Sequence, residues 1–106
     1  MYTDGMGRTV VCGAFEWDED KDKINKRKHG ISFEEATQVF DDIAFFEVPD
    51  EEHSTLREQR FLGYGVIRGF VVVTTVYTYR GRKRFISARR ATKEEEKGYY
   101  EQRYGY

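Results

Sequence analysis

Three strand-like runs, at residues 59–67, 70–79 and 83–89, follow one another with only two or three residues between them. Connections this short join antiparallel neighbours, because a parallel pair needs a crossover of a dozen or more residues. The Arg-Gly dipeptide at 68–69 predicts a two-residue hairpin turn, and the Arg-Gly-Arg sequence at 80–82 predicts a slightly longer one. The second half of the chain therefore predicts an antiparallel sheet.

A highly charged segment at residues 19–28 predicts the first helix. Asp18 supplies an N-cap, acidic residues fill the first turn, basic residues fill the last turn, and Gly30 follows as the stop. This polarity matches the helix dipole at both ends. Because Ile24 is nearly the only apolar residue of this helix, we expect it on the surface and weakly anchored.

Two capping-box patterns predict the other helices. Ser32 with Glu35 opens the second helix, and Thr92 with Glu95 opens the third. Further strands are predicted at residues 10–17, with a bulge at Gly13, and at residues 44–48.

The predicted order of elements is β-α-α-β-β-β-β-α. This order favours an α+β domain in which an antiparallel sheet of about four to five strands carries helices on one face and leaves the other face open. The length of 106 residues is that of one domain. We assign residues 1–13 to an N-terminal extension and the start of the first strand, and residues 14–106 to the single domain.

The cysteine content and the hydropathy of the chain indicate a cytoplasmic protein. Cys12 is the only cysteine, so it has no partner for an internal disulfide, as expected in a reducing compartment. The N-terminus lacks the basic and apolar regions of a signal peptide, and no apolar run approaches the ~18 residues of a membrane-spanning helix.

Charge is strongly segregated along the chain. Residues 1–58 contain 7 basic and 15 acidic residues, a net charge of −8, whereas residues 59–106 contain 11 and 4, a net charge of +7. Between Glu58 and Glu94 there are nine Lys or Arg residues and no acidic residue. A localised positive field attracts a polyanion, so nucleic acid is the first candidate ligand.

The last predicted strand suggests how a nucleic acid would bind. Alternation places Ile86 and Ala88 on the helix-covered face, and Phe85, Ser87 and Arg89 on the open face. Exposed aromatic rings beside arginines are typical of a surface that binds single strands. In the alternative interpretation Phe85 belongs to the core and the arginines keep a sheet edge soluble.

Several segments together resemble the BrnT family of toxins from bacterial type II toxin–antitoxin systems, which are similar in fold to the RelE group of messenger-RNA-cleaving toxins. The resemblance covers about residues 14–101. It rests on the segments F-E-W-D (15–18), N-K-R-K-H-G-I-S-F-E-E-A (25–36), V-F-D-D (39–42), H-S (53–54), R-E-Q-R-F-L-G (57–63) and I-S-A-R-R-A-T (86–92).

This resemblance implies a ribonuclease that is neutralised by a cognate antitoxin, a BrnA-like ribbon-helix-helix protein. The hetero-oligomer of toxin and antitoxin would bind operator DNA through the antitoxin. The substrate would be RNA, and the cleavage would require no metal and no other cofactor. The two histidines are 24 positions apart, and neither lies in a spacing typical of a metal site.

Metal-free RNA cleavage needs a base for the 2′-hydroxyl, an acid for the leaving 5′-oxygen and fixed cations for the phosphorane. We predict that the proton carriers come from Lys28, His29 and Glu58. Arg80 and Arg89 complete the predicted catalytic set. The predicted RNA-binding residues are Trp17, Arg60, Arg82, Arg84 and Arg90. The site requires these arginines to gather on one uncovered surface without being neutralised by carboxylates from the first half of the chain.

Structural interpretations compete with several of these roles. Lys28 and His29 complement the dipole of the first helix, and Trp17 suits the core. Glu58 and Arg60, two positions apart, suit an exposed ion pair, and His53 suits the surface of an acidic loop. Two other functions also remain open: a nucleic-acid-binding module without catalysis, and an interaction protein whose basic face binds an acidic partner.

Overall fold

A computed structural model describes residues 7–105 and shows an α+β architecture. The strands are β1 (Thr9–Cys12), β2 (Phe15–Asp18), β3 (Phe46–Pro49), β4 (Arg60–Ile67), β5 (Val71–Arg80) and β6 (Arg82–Arg90). These six strands form one mixed sheet in the spatial order β1-β2-β6-β5-β4-β3. A 3-10 helix at Thr37–Asp41 directly follows the second α-helix. The α-helices are α1 (Glu19–His29), α2 (Phe33–Ala36) and α3 (Lys93–Tyr104).

The expected antiparallel order of the second half is confirmed, because β4, β5 and β6 pair as consecutive hairpins. The prediction of an entirely antiparallel sheet of four to five strands was wrong. Gly13 has a φ of +59° and forms a turn rather than a bulge, so the predicted strand at 10–17 is a hairpin of β1 and β2. β2 then adds to the sheet parallel to β6, through Phe15 and Glu16.

The expectation that the helices cover one face was also wrong. Val73 and Tyr77 of β5 pack in the main core with Phe33 of α2. Val72 points to the opposite face, where it packs with Tyr99 of α3. Strand residues alternate between faces, so α2 and α3 lie on opposite sides of β5. The second face is therefore open only where α3 does not reach.

The first helix has the predicted ends. The Asp18 carboxylate accepts a hydrogen bond from the Lys21 N–H at 3.0 Å, and Gly30 closes the helix with a φ of 73°. Ile24 is exposed, as expected. The anchor is instead Asn25, which is buried and hydrogen-bonded to the backbone of Ala88 in β6. A buried polar side chain thus anchors this helix to the sheet, whereas most surface helices are anchored by apolar residues.

The two capping patterns give different outcomes. In α3 the reciprocal bonds between Thr92 and Glu95 are both present, as predicted. In α2 the Ser32 hydroxyl caps the Glu35 N–H at 3.0 Å, but the Glu35 carboxylate binds Arg68 instead. The chain then tightens into the 3-10 helix, which lies so close to Gly65 of β4 that a Cβ there would meet the backbone.

A register shift in β6 changes which side chains reach each face. Tyr77 pairs with Phe85 while Val76 pairs with Ser87, so Ile86 is the extra residue of a β-bulge. Phe85 is therefore 2% exposed and lies in the main core with Ala88. The prediction that Phe85 lies on the open face was wrong, because simple alternation fails at a bulge.

Candidate functional site

The bulge residue Ile86 lies where three adjoining hollows meet, and we call this surface the β6 groove. The first hollow is lined by residues of β4, β5, β6 and the loop before β4, together with Asp18 of β2 and Lys21 of α1. The second lies between Ile86 and the C-terminal half of α1, and the third lies between Ser87 and the loop after β3. The groove brings together Lys28, His29, Glu58, Arg60, Arg80, Arg84 and Arg89.

Glu58 lies between two arginines in the first hollow. Its Oε1 accepts from Arg60 Nε at 2.9 Å, and its Oε2 accepts from Arg80 Nη2 at 3.1 Å. Hydrogen bonding to Arg60, followed by the other contacts with the two guanidinium groups, lowers the pKa of Glu58 below its ordinary value. The carboxylate is therefore ionised at neutral pH, which is the form that a proton acceptor needs, while the same two cations make it a weaker base.

Arg84 and Arg82 both face Glu16 of β2. Arg84 Nη1 lies 2.6 Å from Glu16 Oε2, and Arg82 Nη1 lies 3.9 Å from Glu16 Oε1. Glu16 comes from the acidic first half of the chain, so this ion pair weakens Arg84 as a phosphate ligand. Arg82 lies at the tip of the β5–β6 hairpin and does not line the three hollows. The predicted site required arginines that are not paired with carboxylates from the first half of the chain, and this requirement is only partly met.

The C-terminal end of α1 forms the wall of the second hollow. Lys28 is exposed and His29 is partly buried there. Burial, together with the charges of Lys28 and Arg89, lowers the pKa of His29. Its imidazole is therefore mainly neutral at neutral pH.

Arg89 borders the third hollow but is held by α3. Its Nη1 and Nη2 donate to the two carboxylate oxygens of Glu95 at 2.7 and 3.1 Å. Burial opposes ionisation of Glu95, but the bonds from Arg89 and from the Thr92 N–H outweigh it and lower the pKa of Glu95 to about 2. This bidentate pair fixes the guanidinium and leaves it less free to close on a phosphate.

Besides Arg82, two predicted RNA-binding residues lie away from the groove. Trp17 is 4% exposed and packs against Phe33 and Phe85, so its ring is not available to stack on a base. The core interpretation of Trp17 is the one that the structure supports. Arg90 pairs with Val73, whose side chain is in the main core, and so belongs to the face opposite Arg89.

The structure adds a pair that the sequence interpretation had treated as ordinary surface. Asp50 is buried, and both its carboxylate oxygens lie 3.0–3.1 Å from Nδ1 of His53. Both residues line the third hollow together with Arg60 and Arg89. Two sequence signals were available: the three-residue spacing of Asp50 and His53, and the H-S segment at 53–54, which is one of the segments that resemble the BrnT family.

Two further findings concern the described residues. Within residues 7–105, no three or more His, Cys, Asp or Glu side chains come together in a group able to hold a metal ion. None of the helices in that range is both long enough and apolar enough to cross a membrane.

The fold and the groove define a small α+β protein with an arginine-lined groove at its central strand β6, and that fold has a counterpart among solved structures. It is similar to the 1.1 Å crystal structure of the Brucella abortus ribonuclease toxin BrnT, with a TM-score of 0.56 and 24% sequence identity, over 73% of this chain and 94% of that one. No curated protein gave a significant match.

The family model for the ribonuclease toxin BrnT of type II toxin–antitoxin systems matches residues 17–95. The chain therefore belongs to the BrnT family, as the sequence motifs had indicated. The matched range begins at Trp17 in β2 and ends at Glu95 in α3, so it includes every residue that lines the β6 groove.

Proposed function

We propose that this BrnT-family toxin is an endoribonuclease that cleaves RNA without a metal ion, and that the β6 groove is its active site. The observation that carries the proposal is the placement of Glu58 between Arg60 and Arg80. An ionised carboxylate beside two guanidinium groups provides a proton acceptor and a phosphate-binding group in one place.

In this mechanism the 2′-oxygen of one nucleotide attacks the adjacent phosphorus while Glu58 takes its proton. Negative charge grows on the phosphorane oxygens, and guanidinium groups fixed beforehand stabilise it. Each guanidinium has five N–H donors. Glu58 engages Nε of Arg60 and Nη2 of Arg80, so other donors on both side chains remain to bind phosphate.

The ion pair also explains how the site stays ordered before RNA binds. Without Glu58, two arginines on neighbouring strands would repel each other. Arg60 and Arg80 reach the carboxylate from β4 and β5, two paired strands of the sheet. Their positions are therefore set by rigid elements, as preorganised catalysis requires.

A type II toxin has a cognate antitoxin. We propose that the antitoxin here is a BrnA-like ribbon-helix-helix protein, that the two form a hetero-oligomer in the cytoplasm, and that the antitoxin carries the binding to operator DNA. Copurification of the chain with the product of the adjacent reading frame, followed by binding to the promoter of that pair, tests this part.

The ribonuclease proposal is tested with purified protein and a defined RNA in the presence of EDTA. We expect cleavage to persist and to leave 2′,3′-cyclic phosphate and 5′-hydroxyl ends, since the 2′-oxygen is the nucleophile. Glu58→Gln should cut about 10²–10⁴-fold more slowly, and Arg80→Ala about 10²–10³-fold more slowly. Glu51→Gln, on the exposed part of the same loop, is the matched control and should cut like the parent.

Other outcomes distinguish the alternatives. Binding of RNA without any cleavage would favour a non-catalytic nucleic-acid-binding module. Cleavage that stops in EDTA and returns with Mg²⁺ would contradict the metal-free mechanism. Normal cleavage by both Glu58→Gln and Arg80→Ala would place the active site elsewhere.

A further inference from the structure

The Asp50–His53 pair has the geometry of an oriented histidine. The Asp50 residue is 8% exposed, whereas the side chain of His53 is 60% exposed. Both carboxylate oxygens face Nδ1 at 3.0 and 3.1 Å. A carboxylate at Nδ1 fixes the proton on that nitrogen and sets the orientation of the ring, so Nε2 is the atom left to act on a ligand.

The loop that carries His53 is closed at its base. The Ser54 hydroxyl donates to the Asp50 carbonyl at 2.7 Å and accepts from the Arg60 N–H at 2.8 Å. The Asp50 N–H donates to the Arg60 carbonyl, also at 2.8 Å. These bonds tie the start of the loop to the start of β4, so the position of His53 relative to Arg60 is fixed by the backbone.

The same loop ends at Glu58. The Thr55 hydroxyl accepts from the Glu58 N–H at 3.0 Å, and the Thr55 N–H donates to the Glu58 carbonyl at 2.8 Å. Arg60 lines both the first hollow with Glu58 and the third hollow with His53. A phosphate bound to Arg60 would therefore lie where these two hollows adjoin, one lined by Glu58 and the other by His53.

We infer that His53 is the general acid of the reaction and that Asp50 is its positioning residue; this inference rests on the proposed ribonuclease function. The 2′-oxygen forms its bond to phosphorus and gives its proton to Glu58. The bond between phosphorus and the 5′-oxygen breaks, and that oxygen takes the Nε2 proton of the His53 imidazolium, whose Nδ1 proton stays bonded to Asp50. The products are a 2′,3′-cyclic phosphate and a 5′-hydroxyl, and exchange with water returns the two protons to their starting positions.

The other histidine is less suited to this role. His29 lies in the second hollow, beyond Ile86 and Ser87, and does not share a hollow with Arg60. Its pKa is lowered by burial and then by Lys28 and Arg89, so at neutral pH it holds little of the proton that an acid must give.

The test replaces the leaving 5′-oxygen by sulfur in a short RNA with one cleavable linkage. A thiolate leaves without protonation, because thiols ionise near pH ~8.5 whereas an alkoxide is a much stronger base. On the oxygen substrate, His53→Ala should be about 10²–10⁴-fold slower than the parent. On the sulfur substrate we expect the same variant to lose less than about tenfold, which is a small part of a general-acid effect. Glu58→Gln should be slow on both substrates, since a base acts on the attacking hydroxyl in each.

Three further variants sharpen the result. His53→Gln retains an amide next to Asp50 and repeats the test if His53→Ala loses stability. Asp50→Asn should reduce cleavage of the oxygen substrate, and combining it with His53→Ala should add little, because the two residues act as one unit. Glu52→Gln, the exposed neighbour of His53, should behave like the parent on both substrates.

Two outcomes would overturn the inference. His53→Ala and His53→Gln cutting the oxygen substrate at the parental rate would exclude a catalytic role for His53. An equal loss on both substrates would show that the ring serves binding or structure and not the leaving group. A parent that cuts neither RNA would instead remove the proposed function, and the inference with it.

Discussion

The side-chain amide of Asn25 pairs with the backbone of Ala88 in both directions. Nδ2 donates to the Ala88 carbonyl at 2.8 Å, and Oδ1 accepts from the Ala88 N–H at 3.1 Å. The same Nδ2 also donates to the Ile31 carbonyl at 2.9 Å. β2 pairs with β6 only at Lys83 and Arg84, so the amide takes the place of a neighbouring strand further along β6. It thereby fixes α1 against the groove.

Asn25→Ala should destabilise the protein by about 2–4 kcal/mol, because it leaves three buried backbone groups without their partner. Urea unfolding at neutral pH measures the change. Lys23→Ala, on the exposed side of the same helix, should change stability by less than about 0.5 kcal/mol. Equal effects of the two substitutions would mean that α1 does not depend on this amide.

The Glu95 carboxylate gives stability a defined pH dependence. Its pKa is about 2 in the folded protein against 4.5 for an ordinary Glu, so its contribution is complete above about pH 5 and is lost as pH falls towards 2. Glu95→Gln should cost about 1–2 kcal/mol at pH 7, allowing for screening by solvent, and much less at pH 3. Denaturant unfolding at both pH values tests this. Glu94→Gln, exposed in the same turn, is the control, and its stability relative to the parent should not depend on pH in this way.

Substitutions of Trp17 test whether this residue serves the core or stacks on a base. Because it is 4% exposed among aromatic rings, Trp17→Ala should destabilise the protein by about 3–5 kcal/mol. Trp17→Phe should cost about 1–2 kcal/mol and, in the folded state, bind RNA as the parent does. A large loss of RNA affinity in a stable Trp17→Phe protein would restore the stacking role.

Binding to RNA should depend on salt in proportion to the phosphates contacted. An RNA with every 2′-oxygen methylated is bound but cannot be cut, and its affinity can be measured from about 50 to 200 mM salt. Arg80→Ala should make the log–log slope shallower by about 0.7, the value for one phosphate contact on a single strand. Lys97→Ala, exposed on α3, should leave the slope unchanged. An unchanged slope in Arg80→Ala would remove Arg80 from the RNA contact.

Several features of the fold could be predicted because they depend on neighbours in sequence. The caps at Asp18 and Thr92 and the stop at Gly30 were correct, since a cap involves residues within one helical turn. The ion pair of Glu58 with Arg60, two residues apart, was also foreseeable. The consecutive hairpins β4–β5–β6 followed from short connections.

Other features depended on distant contacts that no local pattern records. The bulge at Ile86 reversed the expected direction of Phe85, because it arises from the fit of β6 against β5. The parallel pairing of β2 with β6 joins residues almost seventy positions apart. α3 covers the second face because its Tyr99 packs there against Tyr64 and Val72.

The sequence alone determined the charge segregation, the helix ends, the antiparallel half of the sheet and the family, because composition, caps, turns and motifs are written along the chain. Tertiary structure alone decided which arginines face carboxylates, that Glu58 lies between Arg60 and Arg80, and that Asp50 orients His53 towards the same groove. The physical reason is that an ion pair or a catalytic group acts over a few ångströms, and only the packed sheet sets those distances.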